Sequence, residues 1–361
     1  MNKLILTLAV CGLLSACGDK QEDGKPAAES KTVNVYNWSD YIAEDTIANF
    51  EKETGIKVVY DVYDGNETLE AKLLAGSSGY DVVFPSARPF AEKHIAAGIY
   101  ADLDKTALTN WSNNDPGILV SLEAIDAGNA KLAPYMWGTT GIGYNVKKVR
   151  EILGPDAVLD SWSMIFDPAI AGKLAACGIA VLDDPEDSFT SALLWKGLDP
   201  KVSDAASLEA VKAAFMGTRP NITYFHSSKY ITDLANGDIC VAMGYSGDVF
   251  QARDRAEEAK NGIEIAFVIP KEGAARWVDV MAVPSDAPNK ANAMKFINYM
   301  MKPEVAAGVS NYVWYATPNA KAMPLLDPEL SGDESVFPKA EVLAKLVDPA
   351  SFPQDVQRER V

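Results

Sequence analysis

The feature that most constrains the fold is a regular alternation of strand and helix patterns that begins at Thr32. Apolar residues at every second position predict strands, and apolar residues at helical spacing followed by glycine predict helices. A strand, helix, strand, helix and strand are predicted, in that order, over residues 32–38, 40–53, 56–64, 67–75 and 81–85. Such a series builds a parallel sheet whose ligands gather beyond the carboxyl ends of the strands. The sequence therefore predicts an α/β fold with a site at that edge.

A Gly- and Thr-rich extended stretch, residues 137–145, separates this region from a second one that alternates in a similar way. We expect the chain to cross there between two lobes. Residues 263–269 and 276–283 predict two antiparallel strands around the turn 270–273, which return the chain to the first lobe. The expected lobes are residues 31–137 with about 262–307, and about 138–261 with 308–361.

The amino terminus has the order of a secretion signal. Lys3 precedes an apolar run over residues 4–14, and Leu14-Ser15-Ala16 stand directly before Cys17. Small residues immediately before a cysteine resemble the processing site of bacterial lipoproteins. We therefore expect a signal peptide over 1–16, a lipidated Cys17, and a flexible tether over 17–30 that lacks large apolar side chains. This places the protein in the periplasm, tethered to a membrane.

Cysteine use and charge limit the chemistry further. Cys177 and Cys240 remain as a pair in an oxidising compartment, where a disulfide between them is the default. His94 and His226 are the two histidines of the whole sequence, so we expect neither a zinc site nor another metal site, and no cofactor. The formal net charge of −17 argues against nucleic acid and favours cationic partners.

Acidic residues stand beside aromatic residues at three places in the sequence. Asp40 lies beside Trp38 and Tyr41, Asp248 follows Tyr245 at a short distance, and Asp279 follows Trp277. An aromatic face attracts a cation and packs against methylene groups, while a carboxylate anchors one ammonium group. This pattern favours a linear polyamine as ligand. The alternative is a set of core aromatics with solvated or helix-capping acids, as Asp40 could be.

A carboxylate pair also suits catalysis. Asp187 together with Asp279 or Asp248 has the residue types of an acid and base pair, as in glycoside hydrolysis. A hydrolase needs one carboxyl group protonated near neutral pH, whereas a binder of ammonium groups needs them ionised. The residue types alone leave both readings open, and a hydrolase remains an alternative.

Longer motifs carry a resemblance to a known family. The stretches YNWSDYI, PYMWGTTGIGYNV, RPNITYFHSSKYI and DLANGDICVAMGYSGDV resemble the putrescine-binding proteins among the periplasmic solute-binding proteins of polyamine ABC transporters. The resemblance runs from about Thr32 to at least Ala344. It implies a two-lobed, type II periplasmic binding protein with a hinge, a monomer that binds putrescine between its lobes and delivers it to an ABC permease, without catalysis.

The resemblance also implies a ligand site. The residues that match the family's ligand shell are Trp38, Ser39, Asp40, Tyr41, Ser86, Ser227, Asp248, Asp279 and Tyr315. Among them, Asp248 and Asp279 are expected to neutralise ammonium groups, and Trp38 and Tyr315 to wall the carbon chain.

Several positions depart from the putrescine-binding pattern and are expected to contact the ligand as well. They are Asp184, Asp187, Tyr245 and Trp277. The added acid Asp184 and the tryptophan Trp277 look like the spermidine-preferring relatives, so spermidine is the alternative ligand. Arg88 could instead pair with Asp184 and cancel its charge, which would leave a putrescine-sized site. A polyamine sensor with the same fold is a further alternative.

Overall fold

The computed structural model describes residues 31–352 and residue 356, so the predicted signal peptide, Cys17 and the tether up to residue 30 lie outside the described residues. The strands are β1 (Thr32–Trp38), β2 (Lys57–Tyr63), β3 (Val82–Val83), β4 (Leu132–Asn145), β5 (Ile179–Val181), β6 (Tyr224–Phe225), β7 (Val241–Tyr245), β8 (Ile265–Val268), β9 (Ala274–Ala282) and β10 (Leu346–Val347).

The α-helices are α1 (Thr46–Thr54), α2 (Asn66–Leu74), α3 (Glu92–Ala96), α4 (Pro116–Glu123), α5 (Val146–Leu153), α6 (Ser163–Phe166), α7 (Pro168–Leu174), α8 (Pro185–Trp195), α9 (Ala205–Thr218), α10 (Lys229–Asn236), α11 (Ser246–Ala259), α12 (Lys290–Met300), α13 (Pro303–Val313), α14 (Pro328–Gly332) and α15 (Ala340–Leu343). Within the described range, no helix combines the length and the apolar character needed to cross a bilayer.

The predicted β-α-β series at the start of the chain is confirmed. Strand β1 lies between β2 and β3 and is parallel to both, which brings their carboxyl ends to one edge. The predicted helix over 40–53 begins later than expected, at Thr46. Asp40 has a left-handed backbone with φ of 54°, so it belongs to a turn, and Asp45 is the residue before the helix. The helix ends as predicted at Gly55, whose φ of 69° suits glycine.

Strand β4 connects two halves of the sheet. Its residues 132–139 pair with β9, and its residues 140–145 pair with β7 and β8. The prediction that the strands around 263–269 and 276–283 pair with each other is wrong: β8 and β9 both pair with β4. The alternation of apolar residues identified both strands correctly. They do not pair with each other because β4 is long enough to pair with β9 at its amino end and with β8 at its carboxyl end.

The apolar core follows the same two halves. One large cluster joins the carboxyl half of β4 to β5, β7, β8 and the helices α6 to α11, with Trp162, Phe166 and Tyr230 buried in it. Two further clusters lie around β1, β3 and β9, and the larger contains Phe50, Phe84 and helix α12. Apolar burial of this kind is the main stabilising contribution to folding.

The predicted disulfide is confirmed. Cys177 follows α7, at the end of a short 3-10 turn, and Cys240 directly precedes β7. The bond joins them with a Cα–Cα distance of 5.4 Å across a sequence separation of 63 residues. It therefore links the turn after α7 to the residue that precedes β7.

Candidate ligand-binding site

A cavity lies where the end of β1, the middle of β9 and the first turns of α8 and α11 meet; its empty space, including the part open to solvent, is about 680 Å³. Most of the predicted site residues line it. They are Trp38, Ser39, Tyr41, Ser86, Asp184, Asp187, Ser227, Tyr245, Asp248, Trp277, Asp279 and Tyr315. Residues far apart in sequence are thus brought together, as expected for a site beyond the carboxyl ends of strands.

Asp40 is the predicted residue that does not line the cavity. The turn at Asp40 gives its carboxylate another partner, because Oδ1 accepts a hydrogen bond from Nη2 of Arg255 at 2.7 Å. Its backbone carbonyl accepts from the side-chain amide of Gln251 at 3.3 Å. Asp40 therefore joins the turn after β1 to helix α11 rather than facing the cavity.

Some lining residues were not predicted. They are Tyr63, Asp64, Asn66, Pro89, Phe90, Glu186, Ser228 and Pro349. Tyr63 is the last residue of β2, and Asp64 and Asn66 follow it. Because β2 is parallel to β1, the expected site beyond the carboxyl ends of the strands includes these three positions as well. Nothing in the local sequence around Pro349 indicates that it would lie beside the cavity.

Asp279 is held by two hydroxyl groups from different elements. It lies on β9 and is buried, with 5% of its surface exposed. Oδ2 accepts a hydrogen bond from the Tyr41 phenol at 2.9 Å, and Oδ1 accepts from the Ser86 hydroxyl at 2.7 Å. Ser86 is itself oriented by Asn66, whose Nδ2 donates to Ser86 Oγ at 3.1 Å. The carboxylate is therefore fixed in position by neutral donors.

Asp248 has the same kind of environment in the first turn of α11. Its Oδ1 accepts from the Tyr315 phenol at 2.5 Å, and its Oδ2 accepts from the Tyr230 phenol at 2.8 Å. Its backbone N–H donates to the phenol oxygen of Tyr315 at 3.1 Å. Tyr315 thus contacts both the side chain and the main chain of Asp248.

Burial changes the acidity of both carboxyl groups. Loss of hydration raises the pKa of Asp248 to about 7, against the lowering effect of the Tyr315 and Tyr230 phenols. Burial likewise raises the pKa of Asp279 to about 7, although the Ser86 and Tyr41 hydroxyls lower it. A cation that enters the cavity would favour the ionised form of each group.

A second acidic pair lies at the start of α8. Asp184 caps the helix, because its Oδ1 accepts from the Asp187 N–H at 3.0 Å, and its Oδ2 accepts from the Tyr245 phenol at 3.3 Å. Asp187 accepts a hydrogen bond from the Thr140 hydroxyl. Burial raises the pKa of Asp187 well above its usual value, and the neighbouring Asp184 raises it further. The pKa of Asp184 is also raised by burial.

Arg88 lines the cavity but does not neutralise this pair. The ion pair of Arg88 is with Glu92, with 3.9 Å between Nε and Oε2. Among the described residues, no ion pair joins Arg88 to Asp184. The acidic side chains that line the cavity are Asp64, Asp184, Glu186, Asp187, Asp248 and Asp279. With Arg88 as the basic residue of the lining, the cavity has a strong excess of negative charge.

Aromatic rings form the remaining walls. The Trp277 ring lies 5.2 Å from Tyr315 and 5.7 Å from Tyr245, measured between centroids. The Trp38 ring lies 4.7 Å from Tyr63, and its indole nitrogen donates to the Phe84 carbonyl at 2.7 Å. Rings fixed in this way offer apolar faces to methylene groups and negative faces to cations.

The site has no arrangement suited to a metal ion. In residues 31–352, no three His, Cys, Asp or Glu side chains come together as candidate metal ligands. The lining acids instead accept hydrogen bonds from hydroxyl groups and lie among aromatic rings. This combination can desolvate and bind an organic cation that carries more than one positive group.

Comparisons with known proteins agree with this chemistry. The family model described as bacterial extracellular solute-binding protein matches residues 45–338. The chain belongs to the bacterial extracellular solute-binding protein family. The putrescine-binding periplasmic protein PotF of Escherichia coli (strain K12) is 51% identical over 347 residues, which cover 96% of this chain and 92% of PotF. The putrescine-binding periplasmic protein SpuD of Pseudomonas aeruginosa (strain UCBPP-PA14) is 49% identical over 357 residues, which cover 99% of this chain and 95% of SpuD.

A solved structure confirms the fold of this solute-binding protein. The spermidine/putrescine ABC transporter substrate-binding protein PotD of Streptococcus pneumoniae superposes with a TM-score of 0.74 at 27% identity, covering 92% of this chain and 96% of PotD. The α/β fold of a two-lobed, type II binding protein, expected from the sequence, is thereby confirmed. The resemblance to the putrescine-binding family is confirmed as well, and these relatives are binding proteins rather than enzymes.

Proposed function

We propose that this solute-binding protein captures putrescine, a linear 1,4-diammonium ion, and delivers it to the permease of a polyamine ABC importer. The observation that carries the proposal is the pair of buried carboxylates Asp248 and Asp279, each held by two hydroxyl donors in one aromatic-walled cavity. The names of the full-length relatives PotF and SpuD support it.

The chemistry of the two acids fits the two ends of a diamine. Each carboxylate oxygen has one hydroxyl donor, which leaves lone pairs that can accept from an ammonium group. An ammonium group offers three donors and no acceptor. Trp38, Trp277 and Tyr315 supply the apolar faces for the methylene chain between the ends. Charge-assisted hydrogen bonds in a desolvated site are the strong ones, so the two ends provide most of the affinity.

The transport cycle follows the fold. We propose that residues 31–137 form one lobe with the segment from the end of β8 to about residue 307, and that the segment from about residue 138 to the end of β8 forms the other with 308–361. The pairing of β8 with the carboxyl half of β4 supports a crossing after β8 rather than at 262. Putrescine binds between the lobes of a monomer in the periplasm, and the closed form is the one that the permease recognises. Cys17, outside the described residues, carries the lipid that tethers the protein to a membrane.

Spermidine is the second candidate, and a specific observation favours it. Asp184 lines the cavity beside Asp187, and the guanidinium of Arg88 is paired with Glu92 instead. An additional carboxylate that is not ion-paired with Arg88 offers a partner to a third ammonium group. If Asp184 selects the longer ligand, Asp184→Ala lowers the ratio of spermidine affinity to putrescine affinity; an unchanged ratio rejects this role.

The proposal is tested by calorimetric titration of the mature chain, refolded to remove any carried ligand. Putrescine, spermidine and n-butylamine are compared, because n-butylamine has the same four carbons as putrescine but one positive group. We expect one-to-one binding of putrescine and at least about a hundredfold weaker binding of n-butylamine, since one desolvated charge pair is lost. Equal binding of the two amines, or no binding of either diamine or triamine, would reject the proposal.

A further inference from the structure

The start of helix α11 contains an unusual capping arrangement. Tyr245 is the residue before the helix, and Asp248 is its third residue. In a capping box, the side chain of the third residue turns back and accepts from the backbone N–H of the capping residue. Here the Tyr245 N–H instead donates to the phenol oxygen of Tyr230 at 2.9 Å. The same phenol donates to Oδ2 of Asp248 at 2.8 Å.

Tyr230 does not line the cavity, and its position is fixed by packing. It lies in the first turn of α10 and is fully buried, with 0% of its surface exposed. Its ring lies against Gly244 on β7 so closely that a Cβ atom at residue 244 would be 2.5 Å from the ring. Glycine at position 244 therefore leaves the space that the Tyr230 ring occupies. Packing in the core holds the ring, without contact with a ligand.

We propose that Tyr230 is a positioning residue for cation binding, whose hydroxyl occupies the capping N–H of α11 and keeps the Asp248 carboxylate directed at the cavity. Without this hydroxyl, Oδ2 loses its phenol donor and the Tyr245 N–H loses its acceptor. The inference rests on the proposed function, in which Asp248 binds an ammonium group. It adds a residue that belongs neither to the predicted ligand shell nor to the cavity lining.

The electrostatic surroundings determine what the loss of the hydroxyl does. The titratable and charged groups that face Asp248 and Tyr230 from the neighbouring elements are Tyr41, Tyr245, Tyr315, Asp40, Asp187 and Arg255. Arg255 is paired with Asp40, so the phenols of Tyr230 and Tyr315 are the direct stabilisers of the Asp248 carboxylate. Removing one of them raises the pKa of Asp248 further, because burial is then opposed by one phenol instead of two.

The test is the isosteric variant Tyr230→Phe, with Tyr224→Phe as its matched control. Tyr224 also donates its phenol to a carboxylate, Oδ2 of Asp233 at 2.7 Å, but neither residue lines the cavity. Putrescine affinity is measured by calorimetry between about pH 6 and pH 9, the range that spans the titration of Asp248. We expect Tyr230→Phe to weaken binding about tenfold or more near neutral pH, with a smaller loss at the alkaline end. The control keeps the wild-type profile.

A second readout does not depend on the ligand. Titration of the Asp248 carboxyl carbon by NMR in the ligand-free protein is expected to show a higher midpoint in Tyr230→Phe than in the wild type and in Tyr224→Phe. An unchanged midpoint, or a loss of affinity that is equal at every pH, would show that Tyr230 only packs the core and would overturn the inference. Failure of the wild-type protein to bind putrescine would instead reject the proposed function, while the NMR result would still decide the role of Tyr230.

Discussion

At the scale of single residues, Asp248 and Asp279 share an arrangement in which neutral hydroxyl groups orient a buried carboxylate. In the described part of the chain neither forms an ion pair, and each has a pKa raised by burial. Hydroxyl donors fix the direction of the oxygens without supplying a counter-charge. An ammonium group of the ligand would supply the positive counter-charge that each carboxylate lacks.

This arrangement predicts a large effect of removing one anchor. Asp248→Ala should weaken putrescine binding by about 2 to 5 kcal/mol, because one ammonium group would be buried without its partner. Calorimetric titration measures the loss, and Asp160→Ala, which removes an exposed carboxylate near Lys271, serves as control. A loss below about tenfold, roughly 1.4 kcal/mol, would mean that Asp248 is not an anchor.

The limits of prediction at this scale follow from how side chains are directed. The aromatic-plus-acid pattern favoured a polyamine ligand, and the family resemblance implied that Trp38, Tyr41, Asp248 and Asp279 would share its site. All four residues line one cavity. The same pattern included Asp40, because a strand-to-helix connection does not reveal that its backbone turns left-handed and pairs the carboxylate with Arg255. It missed the buried phenol of Tyr230, since its contact with Asp248 depends on how α10 packs against α11.

At the scale of elements, the first turn of α11 approaches the segment after α13 very closely. A Cβ atom on Gly247 would lie 2.5 Å from the Val313 carbonyl oxygen and 2.6 Å from the Tyr315 ring. Glycine at this position therefore permits the contact in which the Tyr315 phenol reaches Asp248. The ligand site depends on this close approach as much as on the side chains themselves.

Gly247→Ala should consequently separate Tyr315 from Asp248. We expect a loss of stability of about 1 to 3 kcal/mol from overpacking, and a loss of putrescine affinity of about tenfold or more. Gly308→Ala on α13 is the matched control, because a Cβ there meets nothing within 4 Å. Denaturant unfolding and calorimetry measure the two effects. Wild-type affinity in Gly247→Ala would show that this contact does not shape the site.

The Cys177–Cys240 disulfide supports a different element, the start of β7. Crosslinking residues 63 positions apart restricts the unfolded chain, so replacing both cysteines with alanine should lower the free energy of unfolding by about 2 to 4 kcal/mol. Neither cysteine lines the cavity, so putrescine affinity should remain near that of the wild type under folding conditions. Equal unfolding free energies of the variant and the oxidised wild type would contradict the expected contribution.

The sequence predicted correctly which of these segments are strands or helices, but it did not predict which strands pair with each other. Period-two alternation identified the strands near 265 and 274–282, but it could not tell that both would pair with β4. Helical spacing extended the first helix back to residue 40, whereas the turn around Asp40 delays its start to Thr46. Both errors arise because partner choice and helix entry depend on contacts between segments that are distant in sequence.

At the scale of the whole molecule, the raised pKa values of Asp248 and Asp279 predict how stability depends on pH. The folded-state pKa of Asp248 and Asp279 is about 7, above the value of about 3.9 for an unfolded chain. The folded state therefore holds more protons than the unfolded state between these values, and the contribution of these groups to stability is lost as pH rises through this window. In the ligand-free protein, ionised Asp248 and Asp279 are buried without a counter-charge, which destabilises the folded state, and a bound cation removes this cost.

Asp248→Asn tests this linkage, since asparagine resembles the protonated acid. At about pH 8 the ligand-free variant should unfold at a higher temperature than the wild type, and the difference should shrink towards about pH 5, where Asp248 in the wild type is protonated. Calorimetric melting curves at the two pH values measure it. A variant that is less stable than the wild type by the same amount at both values would contradict the raised pKa.

The most direct measurement is the number of protons released when putrescine binds, obtained from binding heats in buffers of different ionisation enthalpy. If Asp248 and Asp279 are about half protonated near neutral pH and fully ionised around the dication, this pair releases about one proton per molecule bound near pH 7. The release should fall towards zero by about pH 9, and affinity should rise with pH over the same range. Putrescine binding without proton release near neutral pH would contradict the account of two buried carboxylates completed by a diammonium ligand.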